Sequence, residues 1–173
     1  TDYLKNEMLV SQKKVDLVDG IIKVQDKMQL DTTKADVFVG IPFCPSRCAY
    51  CSFISEQISS KSRLNEYIEC LCKEIEASKD FYLNNLGSIY IGGGSPSSLD
   101  EKQLEVLLQN AKRLLLDDGE FCVELNPEDL NDEKIKLLSK FGVNRVSFGV
   151  QTLNERLLKL LNRHHNEEMV FEV

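Results

Sequence analysis

Apolar residues occur along the chain in two alternating patterns: short continuous runs, and longer stretches with an apolar residue every three or four positions. Short apolar runs predict buried strands, whereas the longer spacing predicts amphipathic helices. Strands that are apolar on both faces and separated by such helices are typical of a parallel sheet covered by helices. The sequence therefore predicts an α/β fold, with strands at Asp36–Ile41, Ser88–Gly93, Glu120–Leu125 and Asn144–Val150.

The helices predicted after these strands carry start and stop signals. The first covers residues 62–81. Ser98 and Glu101 have the S-x-x-E spacing of a capping box, which predicts the start of the second helix. Gly142 is suited to end the third, and Asn166 to cap a helix near the chain end. The resulting count of about four βα units fits a partial (β/α) barrel or a small open sheet.

The two ends of the chain do not fit this repeat. Residues 2–28 have a helical pattern with no strand before it. We therefore expect an N-terminal helical or linker segment over 1–35, followed by a core domain over 36–173. The chain begins at Thr1 and ends in a helical pattern without a stop signal, so we expect a truncated core that belongs to a longer protein.

Composition narrows the class of protein. A chain of 173 residues with 42% hydrophobic residues can bury one sizeable core. Its net charge of −7 argues against non-specific binding to nucleic acid or to an anionic membrane. Neither a membrane-spanning apolar run nor a signal-peptide pattern is present in the sequence, so we expect a cytoplasmic protein. In a reducing compartment its six cysteines are expected to be thiols or metal ligands.

The unusual residue clusters all follow predicted strands. The segment "CPSRCAYC" comes after the first strand, "GGGSP" after the second, "ELNP" ends the third and "GVQT" ends the fourth. In parallel α/β folds, ligands gather at the carboxyl ends of the strands. The sequence therefore predicts one composite site.

Three cysteines lie within eight residues of the first cluster: Cys44, Cys48 and Cys51. Thiolates on a short loop are typical ligands of iron–sulfur clusters, and three of them would leave one iron of a [4Fe–4S] cluster open to another ligand. Zinc is the alternative, but a structural zinc site needs four ligands, usually in two pairs. The remaining cysteines offer no matching pair; they are Cys70, Cys72 and Cys122.

The C-x3-C-x2-C spacing, with Tyr50 before the third cysteine, resembles the signature of radical S-adenosylmethionine (SAM) enzymes. The motifs "IPFCPSRCAYCSF", "YIGGGSPSSL", "VELNP", "NRVSFGVQT" and "LLNRHH" occur in the order found in oxygen-independent coproporphyrinogen III oxidases, also called coproporphyrinogen dehydrogenases. The resemblance runs from about Asp36 to the chain end. It implies a radical SAM type of (β/α) barrel, of which this chain has the N-terminal part.

The resemblance also implies cofactors and their ligands. Cys44, Cys48 and Cys51 would hold a [4Fe–4S] cluster, and SAM would chelate its fourth iron. The glycine-rich turn would receive the amino group of SAM, and Tyr50 would lie against its adenine. The full set of residues implied to bind SAM is Tyr50, Gly92, Gly93, Gly94, Ser95, Glu124, Gln151 and Arg163.

The activity implied by the resemblance is oxidative decarboxylation. The reduced cluster would cleave SAM, and the resulting deoxyadenosyl radical would convert propionates of coproporphyrinogen III to vinyls, giving protoporphyrinogen IX. An electron donor such as a flavodoxin or ferredoxin is implied. Two relatives remain open, a haem chaperone and a haem-degrading enzyme, as does a non-catalytic iron–sulfur or zinc-binding module. We expect this chain alone to be inactive.

Some positions depart from the family pattern or have no assigned role. Phe38 and Gly40 stand where the family often has tyrosine and histidine. The loss of a hydroxyl or an imidazole there could alter how SAM or substrate is held. His164 and His165 are expected to be solvated loop residues.

Overall fold

A computed structural model of the chain describes residues 2–28, 31–53, 56–58, 60–82, 85–116 and 118–172. The chain divides into two compact units, residues 1–33 and 34–173. The first unit contains helices α1 (Asp2–Asn6) and α2 (Gln12–Gln25). The pattern over 2–28 thus forms two helices, because Leu9 between them takes a left-handed φ of 53° that a continuous helix excludes.

The second unit is built on a parallel sheet of four strands, which confirms the predicted α/β fold. In spatial order these are β1 (Ala35–Ile41), β4 (Leu86–Gly93), β5 (Glu120–Leu125) and β6 (Arg145–Phe148). A separate parallel pair, β2 (Phe43–Cys44) and β3 (Glu56–Gln57), follows β1 in the chain. This pair was not predicted from the sequence, because two-residue strands carry no periodic signal.

The helices that alternate with these strands are α3 (Lys61–Tyr82), α4 (Glu101–Lys112), α5 (Asp132–Lys140), α6 (Glu155–Leu160) and α7 (Glu167–Phe171). Ile89, Ile91 and Phe121 point from the sheet into one apolar cluster with leucines of α4 and are almost fully buried. Alternate positions on the sheet carry Phe38, which is 63% exposed, and Tyr90. In the part of the chain that the structure describes, no helix is long and apolar enough to cross a membrane.

Two of the predicted helix signals are confirmed. Gly142 follows α5 with a φ of 74°, the left-handed conformation expected of a helix terminator. Asn166 caps α7, its side-chain oxygen accepting a bond from the backbone N–H of Met169 at 2.8 Å. The fourth strand is shorter than predicted and ends at Phe148, because the chain turns at Gly149 and Gln151 has a left-handed φ of 63°.

The predicted capping box of α4 is wrong. Pro96–Ser98 forms a short 3₁₀ turn, and the hydroxyl of Ser98 donates to the carbonyl of Ser95 at 2.6 Å. The helix is capped two residues later by Asp100, which accepts from the backbone N–H of Gln103 while the Gln103 side chain accepts from the N–H of Asp100. The helix therefore does begin with a capping box, but Asp100 and Gln103 form it, two residues after the predicted pair.

Replacing Asp100 with alanine should lower the free energy of unfolding by about 1 kcal/mol, because an orphan helix N–H loses its acceptor. A hydrogen bond from Lys61 holds the pKa of Asp100 below its usual value. The stabilisation is therefore present above the unfolded pKa and is lost as pH falls through the folded pKa. Amide hydrogen exchange at Gln103 measures the effect. Ser98→Ala is the control and should leave that amide protected; equal loss of protection in both variants would contradict the assignment.

Candidate functional site

The carboxyl ends of the parallel strands meet at a cavity of about 300 Å³. All but one of the residues predicted for cluster and SAM binding line it; these are Cys44, Cys48, Tyr50, Cys51, Gly93, Gly94, Ser95, Glu124, Gln151 and Arg163. Gly92 does not line the cavity and is buried beside Glu124. Parallel strands bring their ends to one edge of a sheet, so segments up to about 120 residues apart in sequence meet in one place.

The cysteine loop is held at its start and near its middle by other parts of the chain. At its start, Cys44 belongs to β2, and its carbonyl accepts from the N–H of Ile58 at 2.9 Å. Near its middle, the side-chain amide of Asn162 donates to the carbonyl of Arg47 at 2.7 Å, and the N–H of Ala49 donates to the carbonyl of Leu161 at 3.1 Å. The residues that follow α6 therefore fix the loop on both sides of Cys48.

The donor set suits a cluster better than a single metal ion. Within the described ranges, no three or more His, Cys, Asp or Glu side chains lie close enough together to hold one ion. Thiolates that hold a cluster bind different irons and need not meet at one point. The guanidinium of Arg163 donates from Nη1 to the sulfur of Cys48 at 3.6 Å, an arrangement suited to an anionic thiolate.

The glycine turn packs directly against the backbone of the cysteine loop. The N–H of Gly94 donates to the carbonyl of Ile41 at 2.6 Å, and the N–H of Ser95 donates to that of Phe43 at 2.9 Å. A Cβ on Gly94 would lie 2.4 Å from the Phe43 oxygen, closer than any real side chain can approach. Gly93 has a φ of 109°, in the region that favours glycine. The glycines thus allow two loops to share one wall of the cavity.

Ser95 is anchored behind this wall. Its hydroxyl donates to the carboxylate of Asp129 at 2.8 Å, and the Nζ of Lys134 donates to the carbonyl of Asp129 at 2.7 Å. Burial raises the pKa of Asp129 and lowers the pKa of Lys134. Lys134 also donates to the carbonyl of Ser97. This network, which the sequence analysis missed, fixes the turn through the loop that follows β5.

Glu124 ends β5 with both carboxylate oxygens hydrogen-bonded. Oε1 accepts from the hydroxyl of Tyr90 at 2.6 Å, and Oε2 accepts from the N–H of Gly93 at 3.0 Å. A Cβ on Gly92 would lie 2.5 Å from Oε2. These contacts compensate the partial burial of the carboxylate, which the sequence analysis expected to be costly unless bonded.

Arg163 is 9% exposed, so it is not an ordinary surface cation at a helix end. Its Nη2 donates to the side-chain oxygen of Asn126 at 2.5 Å and to the carbonyl of Gly149 at 2.7 Å. Its Nε is buried and has no hydrogen-bond partner among the residues described. A ligand acceptor would satisfy this donor. Asn126, which the sequence analysis did not assign, lies within the "ELNP" motif already singled out.

The two histidines differ from each other. His164 is exposed, as expected, and its backbone N–H donates to the carboxylate of Glu128 at 3.0 Å. Burial opposes ionisation of Glu128, but bonds from Asn126 and His164 outweigh it and lower the pKa of this carboxyl. His165 is only 4% exposed, which contradicts the expectation of a solvated loop residue. Its Nε2 lies 3.0 Å from the carbonyl of Val150, and burial lowers its pKa.

Gln151 and Tyr50 lie at the more open side of the cavity. Gln151 is exposed and holds a left-handed φ of 63°. Tyr50 is 47% exposed, and burial together with the neighbouring Cys48 raises its pKa. A half-exposed ring beside the cysteines suits a stacking surface for a planar ligand group.

Gln151→Gly should raise the free energy of unfolding by about 1 kcal/mol, because glycine adopts this φ without the clash that an L side chain meets. Affinity for SAM should fall in the same variant, since the amide is lost. Chemical denaturation and calorimetric titration measure the two effects. Leu9→Gly, at a φ of 53° in the other unit, is the control and should leave SAM affinity unchanged. Unaltered SAM affinity in Gln151→Gly would remove Gln151 from the site.

The fold and the cavity together define a class of protein. It is a parallel α/β domain in which a three-cysteine loop, a glycine turn, a carboxylate and a guanidinium meet at the carboxyl ends of the strands. The chain belongs to the Radical SAM superfamily, whose family model matches residues 38–173. The predicted family is thereby confirmed.

Two related proteins and one solved structure show which members of the superfamily this chain is similar to. The chain is 43% identical to the heme chaperone HemW of Bacillus subtilis over 78% of this chain and 36% of that protein. It is 46% identical to HemW of Lactococcus lactis, over 76% of this chain and 34% of that protein. Coproporphyrinogen III oxidase (HemN) from Escherichia coli is similar in structure, with a TM-score of 0.74 and 25% identity over 87% of this chain and 35% of that one. The chain thus spans about a third of the length of these proteins.

Proposed function

We propose that this chain forms a [4Fe–4S]- and SAM-binding part of a radical SAM protein that acts on a tetrapyrrole. The observation that carries the proposal is the single cavity lined by the cysteine loop, the glycine turn, Glu124 and Arg163. When bound, the cofactor pair supplies reductive cleavage of SAM. The protein would hold the cluster and SAM in place and exclude water from them.

Each wall of the cavity has a chemical role in this proposal. Cys44, Cys48 and Cys51 would hold the cluster, leaving one iron for SAM. Arg163 would offer its unpaired Nε to an anionic group of the ligand, and Glu124 would accept bonds from ligand hydroxyl or ammonium groups. Gly93 and Gly94 line the cavity, and their packing against the cysteine loop would hold the cluster ligands and the SAM-binding wall close together.

For the whole protein, two activities remain candidates. Identities of 43% and 46% to proteins named heme chaperones favour a haem chaperone that binds cluster and SAM. The structural likeness to coproporphyrinogen III oxidase favours oxidative decarboxylation of coproporphyrinogen III. For that activity we propose a flavodoxin or ferredoxin as the electron donor. A haem-degrading enzyme and a non-catalytic metal module are outcomes of the same test.

Anaerobic reconstitution with iron and sulfide, followed by SAM and a reductant, tests the proposal. We expect cluster absorbance and SAM binding by the chain, and no turnover, because the chain spans only about a third of the length of its relatives. Absence of a cluster would refute the proposal. In a full-length protein, deoxyadenosine formed only with coproporphyrinogen would favour the decarboxylase; stable haem binding without decarboxylation would favour the chaperone.

A further inference from the structure

The orientation of Glu124 is set by Tyr90, a motif residue to which the resemblance assigns no role. A glutamate side chain has three rotatable bonds, so its carboxylate faces a ligand reliably only when contacts fix it. Tyr90, on the neighbouring strand β4, donates its hydroxyl to Oε1 of Glu124 at 2.6 Å. The other oxygen is held by the N–H of Gly93. Each oxygen keeps lone-pair capacity for a further bond from a ligand.

Two further residues neighbour Tyr90. The side chain of Ser147, on β6, lies near its hydroxyl, and the ring stacks on Phe38 of β1 with centroids 5.8 Å apart and planes 21° apart. Residues of three neighbouring strands, β4, β5 and β6, therefore come together near this hydroxyl. A tyrosine fixed in this way can orient a carboxylate without touching the ligand.

Gly92 makes the contact possible. It lies on β4 between Tyr90 and the glycine turn, and a Cβ there would lie 2.6 Å from Cε1 of Tyr90 and 2.5 Å from Oε2 of Glu124. Any side chain at this position would therefore separate the two groups. Gly92 therefore contributes to the site without lining the cavity, because the absence of its side chain leaves room for the hydrogen bond between Tyr90 and Glu124.

We propose that Tyr90 is a positioning residue, which orients the Glu124 carboxylate for ligand binding through a hydrogen bond that only glycine at position 92 permits. The inference rests on the proposed function, in which Glu124 binds SAM. It assigns Tyr90 a role in ligand affinity, and it assigns Gly92 the role of leaving space for this bond.

The first test is the affinity of the cluster-reconstituted chain for SAM, measured by calorimetric titration under anaerobic conditions. Tyr90→Phe keeps the ring and its stacking but removes the hydroxyl, so affinity should fall about tenfold, as expected for a hydrogen bond to a charged group. Tyr67→Phe is the matched control. It removes a tyrosine hydroxyl that donates to the Gly40 carbonyl at 2.7 Å, away from Glu124, and affinity should stay within about twofold.

A double-mutant cycle with Glu124→Gln separates positioning from general damage. If Tyr90 acts through Glu124, then Tyr90→Phe should have no further effect on affinity in the Glu124→Gln background. Equal losses in both backgrounds, or wild-type affinity in Tyr90→Phe, would overturn the proposal. Wild-type affinity in Glu124→Gln alone would instead remove Glu124 from the site, and with it the role of Tyr90.

A second test needs no cofactor. Burial and the bond to Glu124 raise the pKa of Tyr90; Cys122 also raises it, Ser147 lowers it, and Arg145 is the nearby cation. In the cofactor-free chain, the ¹³Cζ titration of Tyr90 should move to lower pH in Glu124→Gln. An unchanged titration would show that the contact is absent in solution and overturn the inference. A shifted titration with no SAM binding by the wild-type chain would place the failure in the proposed function.

Discussion

Replacing Cys48 by serine should reduce the iron and sulfide retained after reconstitution to background and abolish the cluster absorbance. Cys48 is the middle cysteine of the loop, and its sulfur accepts a hydrogen bond from the guanidinium of Arg163. A serine hydroxyl is a harder ligand than a thiolate and binds iron much more weakly. It does not replace the thiolate as a ligand of an iron–sulfur cluster. Cys44→Ser and Cys51→Ser should behave in the same way.

The control for this prediction is Cys70→Ser. Cys70 is exposed on α3 and lies outside the cavity. This variant should retain as much iron and sulfide as the unmodified chain. Full retention of the cluster by Cys48→Ser would contradict the assignment of the three-cysteine loop. Tightly bound zinc, in place of a cluster, in the unmodified chain would support the metal-module alternative.

Replacing Gly94 by alanine should lower the free energy of unfolding by about 3 kcal/mol, near the upper end of the range for overpacking. The added Cβ would lie 2.4 Å from the Phe43 oxygen and 2.7 Å from the Ile41 oxygen. Both are backbone atoms, which cannot rotate away as a flexible side chain could. Relief requires separating the glycine turn from the cysteine loop, which also breaks the Gly94–Ile41 hydrogen bond.

Gly40→Ala is the matched control, because a Cβ at that position would meet only Cε1 of Phe38, at an ordinary 3.5 Å. Its free energy of unfolding should change by less than about 0.5 kcal/mol. Chemical denaturation followed by circular dichroism measures both variants, and SAM titration should find weaker binding in Gly94→Ala. Equal stability of the two glycine variants would mean that the loops are not packed as closely as the structure has them.

The regular elements could be predicted because periodic burial is a local property of the sequence. β5 has the bounds predicted from the sequence, Glu120 and Leu125. The capping of α4 could not be placed in the same way, since the residues from Ser98 to Gln103 offer two overlapping boxes. The structure selects the second box, because the hydroxyl of Ser98 bonds to the carbonyl of Ser95 in the preceding turn and Asp100 caps the helix.

The candidate site was predicted in part. Its cysteines, glycines, Glu124 and Arg163 lie in motifs that the sequence displays. Asn126 and Glu128 were missed, although they lie within or beside one of these motifs. Their role depends on Arg163, 37 and 35 positions away in the chain, and no periodicity connects such distant residues.

The sequence by itself determined the α/β class, the order of strands and helices, and the family, because apolar spacing and short motifs are read along the chain. The tertiary structure decided which polar groups meet. Parallel pairing put Tyr90 beside Glu124, the absence of a side chain at Gly92 let them bond, and folding buried His165 and Arg163. These outcomes depend on distances between separate strands and loops, which only packing of the whole domain defines.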